Sequence, residues 1–390
     1  MKFFKLIILI VLSVMSFSSC DKSLKLSKIK MVLTGSVHGQ LDPCGWKKNP
    51  LGGLSRKLMV LKEMRKNGES PLVLDAGDMF FSKTSININN IKSEQHRCET
   101  MLKGYEKIGI DAQNVGKYEL LAGLLDLKKM EKKFSNIPFI SANIKSVATG
   151  ELLFKPYRVV NKDGLNIGVL GLTNMVPDTM RSVVMDDYIS TGIKYIKELK
   201  NKVDLIVLLV NADRTSQSSL SKHFSDADFI FTSGSTHRTS SSMTQNKNGP
   251  FLYANGKQGK YLSIIDLEIK NVKGPIADLS APEQKVKQLN NRLKRLQKKD
   301  PNSSLEKIYA GKDNILNLIK RYKSDLKTAE TAIENASNKM RYTSFALNRK
   351  IKDDPEMLTM VNLAVEKCKS LELNNNSSGK SNSHGHNHSH

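Results

Sequence analysis

The sequence predicts an α/β layered domain followed by a helical hairpin, and three observations carry that expectation. Six short apolar runs, "IKMVLTG", "SPLVLDAGD", "NIPFISANI", "NIGVLGLTN", "VDLIVLLVN" and "DADFIFTSGS", are rich in Val, Ile, Leu or Phe and end in Gly, Asn, Ser or Asp. Buried strands read this way when polar residues collect at their carboxyl ends. Between them lie stretches with apolar residues at helical spacing, such as "GGLSRKLMVLKEMRKNG" and "HRCETMLKGYEKIG", so strand and helix alternate. Past Pro282 the pattern changes: Val286, Leu289, Leu293 and Leu296 recur at intervals of three and four, a helical face.

Taken in order, the chain opens on a leader. Lys2 and Lys5 precede "LIILIVLSVM", which is too short to span a bilayer comfortably, and "SFSSC" sets small residues before Cys20. Residues 1–19 thus read as a bacterial lipoprotein signal. After cleavage Cys20 would carry lipid and hold the protein on a membrane of the cell envelope, facing the periplasm or the surface. Phe17 stands where Leu is usual, and an ordinary secretory peptide with a chance Cys is the alternative. Residues 20–28 read as a linker and 29–273 as the α/β domain, with chemistry expected where its strands end.

Residues 281–372 read as a basic helical domain. A break at Pro301 separates two helices, the second marked by Ile308, Ile315, Tyr322 and Ala329 at intervals of seven, which fits a hairpin or coiled coil. A further helix after Pro355 puts Leu358, Val361, Val365 and Cys368 on one face. Residues 373–390 are Asn, Ser, Gly and His with nothing to bury, so disorder is expected. Alternating His384, His386, His388 and His390 offer imidazoles to Zn, Ni or Cu without a folded site.

The formal charge of +23 favours anionic partners such as phospholipid headgroups, cell-wall polymers or nucleic acid. No nucleic acid is expected, because aromatic content is low and neither an RNA-binding signature nor a basic zinc-finger spacing occurs. Much of the excess is Lys scattered among Asn and Ile, which simple compositional bias also produces. Cys44, Cys98 and Cys368 are an odd set without CxxC spacing, so a disulfide framework is not expected. Cys44, after Pro43, is the candidate reactive thiol, against the plainer reading of a small residue in a tight turn.

Read strand by strand, the polar termini are "GSVHGQL", "GGLSRK", "LVLDAGD", "DAQNVGKYEL", "SANI", "LLVNADRT", "SGSTHRT" and "ANGKQGKYL". In this order they resemble the catalytic domain of the bacterial 5′-nucleotidase and UDP-sugar hydrolase branch of the calcineurin-like metallophosphoesterases, over roughly residues 29–270. The resemblance implies a four-layer β-sandwich flanked by helices. It also implies two divalent metals, held by a DxH motif, a bridging Asp, the Asn of GNHE and further His residues. Two such ions, roughly 3.5 Å apart, polarise a phosphoryl group and activate a bridging water.

Position by position, the family pattern is broken. His38 of DxH and the bridging Asp78 are retained, with Asp75 just before it, as are Gly116 and Glu119 of GNHE and the second His of the last pair, His237. Ser36 replaces the DxH aspartate, Lys117 the metal-binding Asn, and Tyr118 the catalytic His. Asn211 and Ser235 replace two further His ligands. "DPCGW" is similar to a lipoprotein subgroup with a Cys-Gly-Cys or selenocysteine turn after the first strand, but here Trp46 holds the second thiol's place.

Three functions follow. The first is a lipid-anchored, non-catalytic or repurposed phosphoesterase-fold protein that binds an anionic ligand or a protein partner at the old cleft. The second is a 5′-nucleotidase-like phosphoric ester hydrolase or redox enzyme with an altered, one-metal centre. His38, Asp78 and His237 would then hold one Zn, Mn or Fe(II), as a facial triad does; a metal-free cleft of mutual hydrogen bonds is the competing expectation. The third is a surface metal-handling lipoprotein acting through its His tail. No catalytic residue is assigned.

Overall fold

The computed structural model describes residues 26–378, apart from Lys47, Ser242, Thr244 and 246–248. The leader, Cys20 and the four tail histidines lie outside the described residues. No helix among the described residues is long and apolar enough to cross a membrane.

In chain order the first half contains β1 (Ser27–Thr34), α1 (Leu54–Lys66), β2 (Leu72–Asp75), α2 (Ile91–Ile108), β3 (Ala112–Asn114), α3 (Leu124–Lys133), β4 (Phe139–Ile140), β5 (Ile144–Ser146), β6 (Tyr157–Lys162) and β7 (Leu165–Thr173). Then come β8 (Val183–Met185), α4 (Tyr188–Leu199), β9 (Leu205–Asn211), α5 (Arg214–Gln217), α6 (Leu220–His223), β10 (Phe229–Ser233), β11 (Phe251–Ala254) and β12 (Tyr261–Ile269). The last part holds β13 (Ile276–Asp278), α7 (Ser280–Gln297), α8 (Leu305–Ile308), α9 (Asp313–Glu334), β14 (Asn338–Ala346) and α10 (Pro355–Ser378).

Two sheets stack face to face. One has seven strands in the order β13-β14-β12-β1-β2-β3-β4, the other five in the order β11-β10-β9-β7-β6. Alternation along each strand sends residues to opposite faces. Met31, Leu33, Leu72 and Leu74 therefore meet Ile167, Val207, Leu209 and Phe231 between the sheets. Val32 and Val73 point outward, against Leu58 and Leu61 of α1 and Met101 and Tyr105 of α2. On the far side Leu208 and Val210 pack on Ile196 and Leu199 of α4. The result is the helix–sheet–sheet–helix sandwich that the resemblance implies.

The segment read as wholly helical needs correction. Helices α7 and α9 do form an antiparallel hairpin, with Lys285 to Asp325 at 3.2 Å and the Tyr309 hydroxyl donating to Leu296 O at 3.1 Å. The chain then returns as β14, which pairs antiparallel with β12 from Tyr261↔Ala346 to Glu268↔Lys339, and parallel with β13. Its Asn338, Met340 and Tyr342 are buried at a spacing of two, a strand period that the surrounding basic residues disguise. Helix α10 buries Met357, Val361 and Ala364 in the outer core. Residues 281–372 thus complete the sandwich around one protruding hairpin.

Candidate functional site

The expected site residues sit on loops leaving the carboxyl ends of β1, β2, β3, β9 and β10. Two of these loops are zipped together by backbone bonds: Ser36 N–H to Gly77 O at 2.9 Å, His38 N–H to Asp78 O at 2.9 Å and Gly39 N–H to Met79 O at 2.8 Å. Within this zipper Ser36, His38 and Asp78 have φ of 51°, 51° and 58°. Left-handed backbone is costly for residues other than Gly and gathers where surrounding structure imposes it, often at functional sites.

Glu119 supplies the constraint. It lies in a single 3-10 turn after β3 and accepts the backbone N–H groups of Asp78 (3.0 Å), Met79 (2.6 Å) and Gly116 (2.8 Å). Its structural role was not read from the sequence, although its place in the GNHE-like motif was the available signal. Burial, and then the neighbouring Asp78 charge, push its carboxyl upward. Asp78 is also raised, chiefly by burial, against the hydrogen bonds from the Tyr118 N–H and Asn211 and, least of all, the Lys117 charge.

The polar side chains of these loops are held by hydrogen bonds within the fold. Oδ1 of Asp78 accepts the Tyr118 N–H at 2.9 Å. Asn211 accepts the Lys117 N–H at 3.1 Å and the Thr173 hydroxyl at 3.2 Å, and donates to Ser233 Oγ at 2.7 Å. A Cβ built on Gly116 would lie 2.7 Å from Asn211 Cγ and 2.8 Å from Asp78 Oδ1, so amide and carboxylate converge on that glycine. Ser36 Oγ accepts the Gly234 N–H at 2.9 Å, and Ser235 Oγ donates to Gln217 Oε1 at 3.0 Å.

The His38 ring tilts over Tyr118 with centroids 4.3 Å apart. Burial, and then the charge of Lys257, lower its imidazole to about 4. Its buried Nδ1 has no hydrogen-bond partner. His237 is half-buried and is likewise lowered by burial and by the charge of Arg214.

Such a set does not fit two dications. Hydroxyl, amide, phenol and ammonium groups stand where carboxylate, imidazole and a ligating amide would be needed. Among the described residues, no group of three or more His, Cys, Asp or Glu side chains could hold a metal ion. The expected triad of His38, Asp78 and His237 is therefore not assembled: the three lie on neighbouring loops, but Asp78 is turned onto the Tyr118 amide.

Cys44 lies outside this centre, on a loop pinned to Leu51 by two backbone bonds of 2.9 and 3.0 Å. Burial raises its thiol despite the nearby Lys260, so the thiolate that reactivity requires is disfavoured. Behind the site, Asp75 accepts hydrogen bonds from the Thr34 hydroxyl and the Tyr105 hydroxyl, each at 2.7 Å. Buried Lys57 donates to Thr34 Oγ1 at 2.9 Å and stands 4.1 Å from the Tyr105 ring centroid. Lys57 was missed because a lysine within a helix reads as solvent-facing.

No protein-family model matches the chain. A 5′-nucleotidase of Vibrio cholerae is 32% identical over 201 residues, which cover 48% of this chain and 34% of that protein. Protein UshA of Escherichia coli is 32% identical over 154 residues, 38% of this chain and 26% of UshA. The chain thus spans about a third or less of these curated relatives. Among solved structures, a 5′-nucleotidase precursor from Thermus thermophilus superposes with a TM-score of 0.63 at 17% identity, over 88% of this chain and 59% of that one. The calcineurin-like phosphoesterase YfkN from Bacillus subtilis gives 0.56 at 14%, over 90% and 98%. The sandwich and the loops at its strand ends share the fold of calcineurin-like phosphoesterases, and over up to about half of the chain the sequence is similar to 5′-nucleotidases.

Proposed function

We propose that this chain is a lipid-anchored protein of the cell envelope whose phosphoesterase-fold cleft binds an anionic ligand without hydrolysing it. The observation that carries this reading is the Asp78 carboxylate, which by the resemblance would bridge two metals but here accepts the Tyr118 amide, with the Lys117 charge as a lesser influence. The loop before β12 and the first residue of α5 bring two further cations: Lys257 acts on His38 and Arg214 on His237. An ammonium within about 4 Å of a dication site opposes occupancy by several kcal/mol at an effective dielectric near 20, whereas it favours a phosphate or carboxylate.

The test is metal analysis of the purified full chain beside its Asp78→Asn variant, with a panel of phosphomonoesters and phosphodiesters assayed on the same samples. The reading expects no turnover beyond background in either protein. Any metal retained equally by both belongs elsewhere, the His-rich tail being the first place to look. Metal-dependent turnover that vanishes in Asp78→Asn would restore the hydrolase reading. Anchoring is tested separately, by detergent partitioning of the parent and Cys20→Ala; only the parent should enter the detergent phase.

A further inference from the structure

The sole tryptophan of the chain, Trp46, is 87% exposed, an unusual position for a large indole. Its loop is closed by the two backbone bonds between Cys44 and Leu51, and Arg349 donates to Lys48 O at 3.3 Å from the far end of the chain. Beside it lies a cavity of about 420 Å³ lined by Cys44, Gly45, Trp46, Lys48, Leu51 and Lys260 among others. A Cβ on Gly45 would come 3.9 Å from Lys260 Nζ, which puts that ammonium against the backbone just before the indole. Gly45 itself has φ of 106°, a backbone conformation that a residue with a Cβ would adopt only under strain.

The cavity is continuous in charge with the cleft. Lys257 acts on both His38 and Cys44, and the loop that carries Lys257 and Lys260 is tied to the cleft by the Gln258 N–H donating to Ser36 O at 2.7 Å. Asp42 is the acidic group that acts on Cys44 here, against two lysines. A free indole face beside an ammonium group selects for a planar aromatic ring that carries an anionic substituent: the ring stacks and the anion pairs.

We propose that Trp46 and Lys260 form a rim subsite that captures an aromatic ring bearing a phosphate or similar anion, an inference that rests on the cleft's reading as a binding site. A membrane surface is the other occupant such a loop could meet. The vesicle arm of the titration below distinguishes it from an aryl phosphate.

Because Trp46 is the only tryptophan, its emission reports this site directly. Full-length protein is titrated with phenyl phosphate, AMP, adenosine and inorganic phosphate, and free phosphate is assayed in the same cuvette. We expect saturable quenching by phenyl phosphate and AMP, at least tenfold tighter than by adenosine or inorganic phosphate. Lys260→Met should weaken it about tenfold with an unchanged melting temperature, and calorimetry on Trp46→Ala should show a similar loss. Linear, unsaturable quenching, or quenching indifferent to Lys260→Met, overturns the proposal, as does a blue shift with anionic vesicles but none with the aryl phosphates. Phosphate release would defeat the non-hydrolytic reading while leaving the binding result intact.

Discussion

Oδ1 of Asp78 accepts the backbone N–H of Tyr118 at 2.9 Å. The loop after β2 is thus bound to the loop after β3 through a buried carboxylate. The convergence of Asp78 and Asn211 on Gly116 gives this a direct test. Gly116→Ala puts a methyl within 2.8 Å of both side chains, so we expect a loss of about 1–3 kcal/mol from overpacking, read as a lower urea midpoint with the denaturant slope unchanged.

Restoring the family's donors should restore metal binding. The combined variant Ser36→Asp, Lys117→Asn, Tyr118→His, Asn211→His and Ser235→His replaces the ammonium, amide and hydroxyls by ligands suited to Mn or Zn, and the phenol by the imidazole that the resemblance implies beside them. The positive φ at Ser36 (51°) is a conformation that Asp tolerates better than most residues. Calorimetry should show Mn binding in the variant that Asp78→Asn removes, against a parent background that Asp78→Asn leaves unchanged.

Glu119 is expected to matter for stability more than for any chemistry. Its two oxygens collect N–H groups from both cleft loops, and an amide there would turn donors toward donors. Glu119→Gln should cost about 1.5–3 kcal/mol in denaturant unfolding, and should lower the melting temperature more than Glu119→Asp does.

Lys57 gives a pH signature. Burial lowers its ammonium from 10.5 to about 8 in the folded state. Below about pH 8 the group is charged in both states, and the native state bears the full cost of its burial. Between about 8 and 10.5 the native state releases its proton first, so stability rises with pH, by up to about 3 kcal/mol, and levels off above. Measured as the difference between wild type and Lys57→Met, which cancels other titrations, this rise should appear in that window; a flat difference would show that the buried ammonium is not destabilised.

The sheet predicts the outcome of truncation. Strand β14 lies between β12 and β13 and α10 covers Met101 and Tyr105 in the outer core, so a chain ending at Gly274 loses a sheet neighbour and a helical layer. It should lack a cooperative thermal transition by circular dichroism, whereas an independently folded residue 29–273 domain would keep one.

Legible in the sequence alone were the α/β sandwich and its strand ends, because each is local: buried strands show as apolar runs that end in polar residues. Hairpin α7–α9 was legible for the same reason, through its repeating apolar face. Strand β14 was not, since a nine-residue segment containing Lys339 and Arg341 becomes a strand only through its pairing with β12, some 80 residues earlier. His38, Asp78 and His237 lie on loops after β1, β2 and β10, but whether their donor atoms converge depends on side-chain direction, which the zipper of the β1 and β2 loops and the Tyr118 amide decide. Lys57 and Glu119 were invisible as structural groups because their burial comes from packing across the fold. Composition fixed that only one tryptophan exists; tertiary structure alone left its indole open beside Lys260, since exposure is a property of what fails to pack against a side chain.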